Sequence, residues 1–317
     1  VLLPMGVVSN RMSILNRLFG PRKRPHEKEE AEAALRAELF GPGQLETHLR
    51  ALAVEHAVDV RPGPERLLDR LDANEQIIIR SYETIAEAIR QGRQVAPAAE
   101  WLLDNYYLIE EQVRITRQHL PADYSRQLPR LTAGELKGFP RVYSLTMELV
   151  SHTDGRINAQ VVTQFVRAYQ GVAPLRLGEL WAVPIMLRLT LIENLRRVAY
   201  RIAWRRQHRD LALEWTQRFE RAQRQGGRDL ITTLADLVRS DPPTSAPFIA
   251  ELAGGLQAIS FNLAINWLED ELARRGQTLE AIQQAESQDQ AADQVSIGNS
   301  ITSLRALGAI DWRNFVE

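Results

Sequence analysis

Hydrophobic residues recur at helical spacing along most of the chain, and no stretch of strand-like alternation interrupts them. Between Pro64 and Gln91, residues Leu67, Leu71, Ile78, Tyr82, Ile85 and Ile89 fall at steps of three, four and seven, which marks one apolar stripe of an amphipathic helix. The triplet Ile77-Ile78-Ile79 looks like a strand in isolation, but the flanking period assigns it to that helix. Pro97 suits a first helical turn, where its missing N–H costs no hydrogen bond. The helix that follows is expected to bury Leu102, Tyr106, Ile109 and Val113, to pair Glu110 with Arg114 on its wet face, and to end at Pro121. Pro129, Gly134, Gly138 and Pro140 predict an ordered loop over 128–140. Helices resume near Val142 and again from Asn158 to Gln170.

The longest seam comes next. Leu177, Leu180, Leu187, Leu191, Leu195, Val198 and Ile202 continue through Trp204, Leu211, Trp215 and Phe219. Neither glycine nor proline occurs between Ile185 and Gln225, so an uninterrupted helix of about 60 Å is allowed at 1.5 Å per residue, with 208–210 as its weakest place. Gly226-Gly227 and Asp241-Pro242-Pro243 punctuate the remainder, which reads as helical to about Ala292. The stretch Leu252 to Leu268 carries no charge over 17 residues. A membrane span needs about 20 predominantly apolar residues, and Gly254, Gly255, Gln257, Ser260, Asn262 and Asn266 dilute this one. It reads as a buried helix with one polar seam through Asn262 and Asn266. Val1 to Phe19 is interrupted by Asn10, Arg11, Asn16 and Arg17, so it lacks the apolar core of a targeting signal. The class is therefore all-α, a multi-helix bundle with one or more long amphipathic helices. A flexible leading segment is expected over 1–42, with Arg22-Lys23-Arg24 in it, then a helical domain over 43–317 with a division near 226–243.

Composition narrows the chemistry. A hydrophobic content of 44% supports a sizeable core and excludes disorder over the full length. The absence of cysteine excludes disulfides, thiolate metal sites, iron–sulfur clusters and cysteine nucleophiles. A net charge of -1 removes overall charge as an argument for nucleic-acid binding. Neither G-x-x-x-x-G-K-[ST] nor G-x-G-x-x-G occurs, and there is no Asp-x-Asp of the kind that holds a metal in sugar-nucleotide transferases. His26-Glu27 is followed by Glu30 where a zincin helix needs its second histidine. His48 and His56 are eight apart and could share a helix face, but lack a clear carboxylate as third ligand. His152-Thr153-Asp154 lacks a nucleophile elbow and reads as a polar cluster at a helix end. No catalytic, cofactor-binding or metal-binding residue is assigned.

One feature does stand out. Arg197, Arg201, Arg205 and Arg209 lie at four-residue steps, joined by Arg196, Arg206 and His208, with Trp204 beside them. Such a stripe can dock on anionic headgroups or an acidic partner, or it can be a solvated face balanced by carboxylates of neighbouring helices. RNA binding is not expected, since interleaved aromatics are sparse and no recognised module occurs.

A series of longer motifs adds a family resemblance. Trp101-Leu-Leu-Asp-Asn-Tyr-Tyr-Leu-Ile-Glu-Glu-Gln is followed by Leu128-Pro-Arg-Leu, Gly138-Phe-Pro-Arg-Val-Tyr, His152-Thr-Asp and Phe165-Val-Arg-Ala-Tyr-Gln. Then come Gly178-Glu-Leu-Trp-Ala-Val-Pro-Ile-Met-Leu-Arg, Leu191-Ile-Glu-Asn-Leu-Arg-Arg, Val295-Ser-Ile-Gly-Asn-Ser-Ile-Thr-Ser-Leu-Arg and Asp311-Trp-Arg-Asn-Phe. In this order, over roughly 43–317, they resemble the N-terminal region of bacterial cyclic β-1,2-glucan synthases. One departure is Arg176, where the family usually has a threonine that caps the long helix with Glu179 as its box partner. With that cap lost, the start of the helix is expected to shift.

The resemblance implies a much larger inner-membrane enzyme that polymerises glucose from UDP-glucose into β-1,2 chains on a protein-linked primer and cyclises them. UDP-glucose as donor and a divalent metal are implied for that whole enzyme and not for this chain, because its transferase, membrane and phosphorylase-like modules lie downstream. This chain would be a soluble accessory segment on the cytoplasmic side of the inner membrane, truncated before the first span. Its implied partners are those downstream modules and, through the arginine stripe, anionic inner-leaflet lipids; nucleic acid is not among them. Trp101, Asn105, Glu179, Trp181, Glu193 and Asn194 are read as residues of packing, capping and buried hydrogen bonding, and a buried Asn194 needs a partner inside the bundle. The rival reading is a stand-alone helical adaptor or membrane-surface module. A glycan-binding module is weaker, because the aromatics mostly occupy apolar seams.

Overall fold

A computed structural model of the chain describes Leu35 and residues 37–312. Among these residues the helical periods fold into twelve helices. They are α1 (Pro42–Glu55), α2 (Leu67–Arg90), α3 (Pro97–Asp104), α4 (Tyr106–His119), α5 (Ala122–Gln127), α6 (Arg141–His152), α7 (Ala159–Gln170), α8 (Leu177–Gln225), α9 (Gly227–Arg239), α10 (Ala246–Ala258), α11 (Asn262–Ala273) and α12 (Leu279–Leu307). The all-α class holds, and no described helix is long and apolar enough to cross a membrane.

The described residues divide into two compact units. One is built from residues up to Trp204 together with those from Gln288 onwards, the other from Arg205–Ser287. The boundaries fall inside α8 and α12, not in the glycine- and proline-rich stretch 226–243. There Gly226 ends α8 and 240–245 separates α9 from α10, but both helices belong to the same unit. Punctuation stops a helix without parting the cores on either side of it.

In the larger unit α8 is buried on every side from Ala182 to Ala199, while Leu177 and Trp181 at its start are exposed. Ala182, Val183, Met186, Leu187, Leu189, Leu191, Ile192, Leu195, Val198 and Ala199 all belong to its core, and they cover all directions around the axis. The apolar face of α2 (Leu67, Leu71, Ile78, Ile85) and Val142, Leu145 and Leu149 of α6 join the same core, as do Ile297, Ile301 and Leu304 of α12. The smaller unit has its own core of Trp215, Phe219, Leu234, Leu237, Phe248, Leu252, Leu256 and Leu268.

Several expectations change in detail. The helix after Pro97 is broken at Asn105, which leaves the helical region (φ -110°, ψ 11°) and separates α3 from α4. Arg114 meets Glu111 rather than Glu110. The loop 128–140 carries a short ladder, Val58–Asp59 against Arg130–Leu131, antiparallel, with a further bridge from Arg130 to Pro140. Two residues per strand are too few to leave an alternation in the sequence. The uncharged stretch 252–268 is two helices, because Ser260 takes a positive φ of 53° between α10 and α11. Asn262 and Asn266 are exposed on α11, so the polar seam faces water and not the core.

The long helix runs through 208–210 without a break. It begins at Leu177, directly after Arg176. Glu179 still accepts the Arg176 backbone N–H at 2.9 Å, while the Glu179 and Leu180 N–H groups bond the Arg176 carbonyl. Half of the capping box survives without the threonine. Of the leading segment expected over 1–42, residues 1–34 and 36 lie outside the described residues, and with them Arg22-Lys23-Arg24. The described part is docked: Leu35 is buried, and the Ala37 and Phe40 N–H groups bond the Ser151 and His152 carbonyls.

Candidate functional site

A helix enclosed on all sides must satisfy every polar side chain it carries, since an unpaired buried polar group costs several kcal/mol at the upper end. The enclosed part of α8 carries Glu179, Thr190, Glu193 and Asn194, each fully buried. Together they form a polar axis through an apolar core.

Glu179 receives both arms of Arg141 from α6, Nε at 2.6 Å and Nη2 at 2.7 Å. The same guanidinium bonds the Pro174 carbonyl at 2.8 Å and lies over the Tyr169 ring, 5.9 Å from its centroid. Tyr169 Oη in turn meets His56 Nδ1 at 3.0 Å. Burial, and then the positive charge of Arg141, hold His56 below the ordinary imidazole range. Thr190 shares a hydrogen bond of 2.8 Å with Thr146 of α6.

One turn on, Glu193 is the hub of three guanidiniums. Arg70 of α2 binds it in fork geometry (2.9 and 2.6 Å), Arg196 Nη2 stands at 3.1 Å and Arg197 Nε at 3.0 Å. Burial alone pushes this carboxyl up. The Arg70 hydrogen bonds and the charges of Arg196, Arg70 and Arg197 outweigh it and hold the pKa at about 2. Asn194 faces the other way. Its Oδ1 accepts the Leu35 N–H at 2.9 Å, and its Nδ2 donates to Ser296 Oγ at 3.1 Å and Ser300 Oγ at 3.0 Å on α12.

The arginine stripe is not an outward-facing patch. Arg197 is held by Glu193 and Arg201 by Asp293, both inside the larger unit. In the smaller unit Glu286 receives Arg205 at 3.5 Å and Arg209 at 2.7 Å. The four side chains are between 9% and 22% exposed, and Glu286 and Asp293 are buried. The neighbouring Arg206 and Asp210 pair within α8. Balance by carboxylates, from α8 itself and from α12, describes this geometry, but the face is largely covered and not solvated.

The remaining motif residues sit at the rim. Trp101 and Trp181 are 43% and 44% exposed, although the Trp101 ring lies against Gly298 of α12. Asn105, at the α3–α4 break, donates to the Trp101 carbonyl at 2.9 Å and accepts from Arg305 at 2.6 Å. Asn105 thus ties the α3–α4 break to the last turns of α12, and neither tryptophan is inside the core. Glu193 and Asn194 were visible in the sequence as polar residues on an apolar helix. Their partners Arg70, Ser296 and Ser300 were not, because they lie far away along the chain and carry no spacing signal relative to α8.

A second cluster was missed altogether. His48 of α1 does not face His56. Its Nε2 stands 2.9 Å from Glu148 Oε2, and His152 Nε2 stands 3.3 Å from the same oxygen. The signal available was Glu148-x-x-x-His152, four apart on one helix face, with His48 brought up by α1. These three can present ligand atoms to one cation. Two imidazoles and one carboxylate do not match the oxygen-rich sites that hold a metal on a sugar diphosphate.

No family model matches the chain. Among curated proteins, it is 31% identical over 299 residues to the cyclic beta-(1,2)-glucan synthase NdvB of Rhizobium meliloti (strain 1021). The alignment takes in 94% of this chain and 10% of NdvB, so the chain spans about a tenth of the length of the relative it matches. The chain is therefore a homologue of one segment of a cyclic β-(1,2)-glucan synthase, the relationship to which its ordered motifs point.

Proposed function

We propose that this chain is the leading helical segment of a membrane enzyme that builds cyclic β-1,2-glucan from UDP-glucose, and that it supports assembly of the downstream transferase and membrane modules on the cytoplasmic face of the inner membrane. The observation that carries the reading is the identity to NdvB over nearly the whole chain but a tenth of the relative. A stand-alone adaptor would not call for that relationship. The arrangement of charge agrees with a supporting role. The buried carboxylates of α8 and α12 are matched with arginines, which fits a scaffold better than a reaction centre. Donor binding and its divalent metal belong, in this reading, to other modules of the enzyme.

The test is complementation in a bacterium lacking its own synthase. The full reading frame is compared with one lacking the segment equivalent to 1–317, following membrane-bound enzyme and cyclic glucan together. The expected result is that both fall, because an unsupported core is degraded. Unchanged glucan and enzyme would sink the proposal. Loss of glucan with a normal enzyme level would replace support of assembly with a part in the reaction cycle.

A further inference from the structure

The cluster of His48, Glu148 and His152 brings two imidazole nitrogens onto one carboxylate oxygen. His152 Nδ1 lies 2.7 Å from the Glu38 backbone carbonyl. A carbonyl can only accept, so this ring nitrogen carries the hydrogen. In the neutral ring, Nε2 is then a bare lone pair, and it points at Glu148 Oε2, another acceptor, 3.3 Å away. Two acceptors then face each other, and either a second proton on the ring or a metal ion between them resolves the contact. His48 Nε2 brings a third donor atom to the same oxygen at 2.9 Å, and all three atoms lie within 4.8 Å of one another.

We propose that His48 Nε2, His152 Nε2 and Glu148 Oε2 form a binding site for a borderline divalent ion of the zinc class. Tetrahedral zinc with bonds of about 2.0–2.1 Å sets its ligand atoms roughly 3.4 Å apart, and the contacts at 2.9 and 3.3 Å are close to that spacing. The mix of imidazole nitrogen and carboxylate oxygen suits zinc and its first-row neighbours rather than magnesium or calcium. A metal-bound histidine usually donates its other N–H to a backbone carbonyl, which fixes tautomer and ring orientation; the Glu38 carbonyl does this here. The Phe40 ring stacks on His152 at 4.0 Å between centroids and meets His48 edge-on at 5.4 Å, so it shields one side and limits ring rotation. His152 is 8% exposed, while His48 and Glu148 are each 32% exposed, which leaves a path for the ion and room for water as fourth ligand. The ion would clasp α1 and the strand of chain before it onto the C-terminal end of α6.

The 317-residue chain, dialysed against a small excess of Zn2+ and then against buffer, is expected to retain one ion per chain. Co2+ in its place should give the visible d–d bands of a low-symmetry site with nitrogen and oxygen ligands. Zn2+ should also raise the Tm of the wild type. Because His152 is buried, its replacement could unfold the unit, so the informative variants are His48→Gln and Glu148→Gln at half-covered positions. Loss of an outer-shell partner alone costs about 10–100-fold in metal affinity, so loss of either ligand should lower Zn2+ affinity by ~100-fold or more, with the helical circular dichroism retained. His119→Gln, at an exposed position, should leave binding unchanged. If the folded wild type keeps no stoichiometric Zn2+, or if both ligand variants bind it like the wild type, the cluster is a protonated imidazole–carboxylate group and the proposal is wrong. Either result leaves the glucan reading untouched.

Discussion

Glu193 and Asn194 are neighbours in sequence, both fully enclosed, and tie α8 to different helices. Their chemistry makes them unequal. Asn194 is neutral and can be satisfied by hydroxyls and an amide, whereas Glu193 stays ionised only because three guanidiniums surround it. Removing one partner of a buried ion group leaves the others uncompensated, so Glu193→Gln should lower the unfolding free energy by about 3–5 kcal/mol in urea titrations. The pH dependence has a definite sign. The folded pKa of about 2 lies below the ordinary 4.5, so the contribution of Glu193 is fully present above pH 4.5 and is lost as the pH falls towards about 2. The size of that contribution is on the order of 3 kcal/mol. Stability curves of wild type and Glu193→Gln measured across that acid window should therefore converge. Parallel curves would show that the carboxyl is not held down in the folded state.

At the level of helices, the period was legible wherever one face is buried and the other is wet. The stripe of α2 became its core face at Leu67, Leu71, Ile78 and Ile85, while Ile89, expected in the same stripe, is left exposed at the helix end. In the first half of α8 the same method reads a seam where the structure has a helix buried all round. Apolar residues on every side carry no phase, so the sequence could not say how many helices surround them. The Gly254-Gly255 pair is ambiguous for a similar reason, since breaker and close-packing point look alike. In α10 the two glycines separate cleanly. A Cβ on Gly255 would run into Thr216 Oγ1 and Cγ2 of α8, while one on Gly254 would meet nothing within 4 Å. Gly255→Ala should thus destabilise the smaller unit by about 1–3 kcal/mol through overpacking. Gly254→Ala should stabilise it by roughly 0.5–1 kcal/mol, because glycine loses more backbone freedom in a helix than alanine does. Thr216→Ala in the Gly255→Ala background should recover part of the loss. Thermal unfolding of the four chains decides it, and equal effects at both glycines would contradict the close approach.

For the molecule as a whole, the arginine stripe shows most clearly what a single sequence leaves open. Its spacing was visible, and so were the two readings, but the choice between them depends on Glu286 and Asp293, some eighty residues away on α12. These carboxylates are seven apart, two helical turns, which puts them on one face of that helix. Each finds its arginine within its own unit, so the stripe is answered from inside the fold and not by solvent alone. A test designed for a surface patch then has a different outcome. Replacing Arg197, Arg201, Arg205 and Arg209 by glutamine should not simply reduce affinity for anionic vesicles. It strips an arginine from Glu193 and Asp293 and two from Glu286, and breaking a buried ion pair by removing one partner costs about 3–5 kcal/mol against a total stability of about 5–15 kcal/mol. The quadruple variant should lose its cooperative thermal transition. Restoring neutrality locally, by adding Asp293→Asn to Arg201→Gln, should recover much of the Tm lost in that single variant. A quadruple variant that melts like the wild type, yet no longer sediments with anionic vesicles at low salt, would return the stripe to the membrane surface.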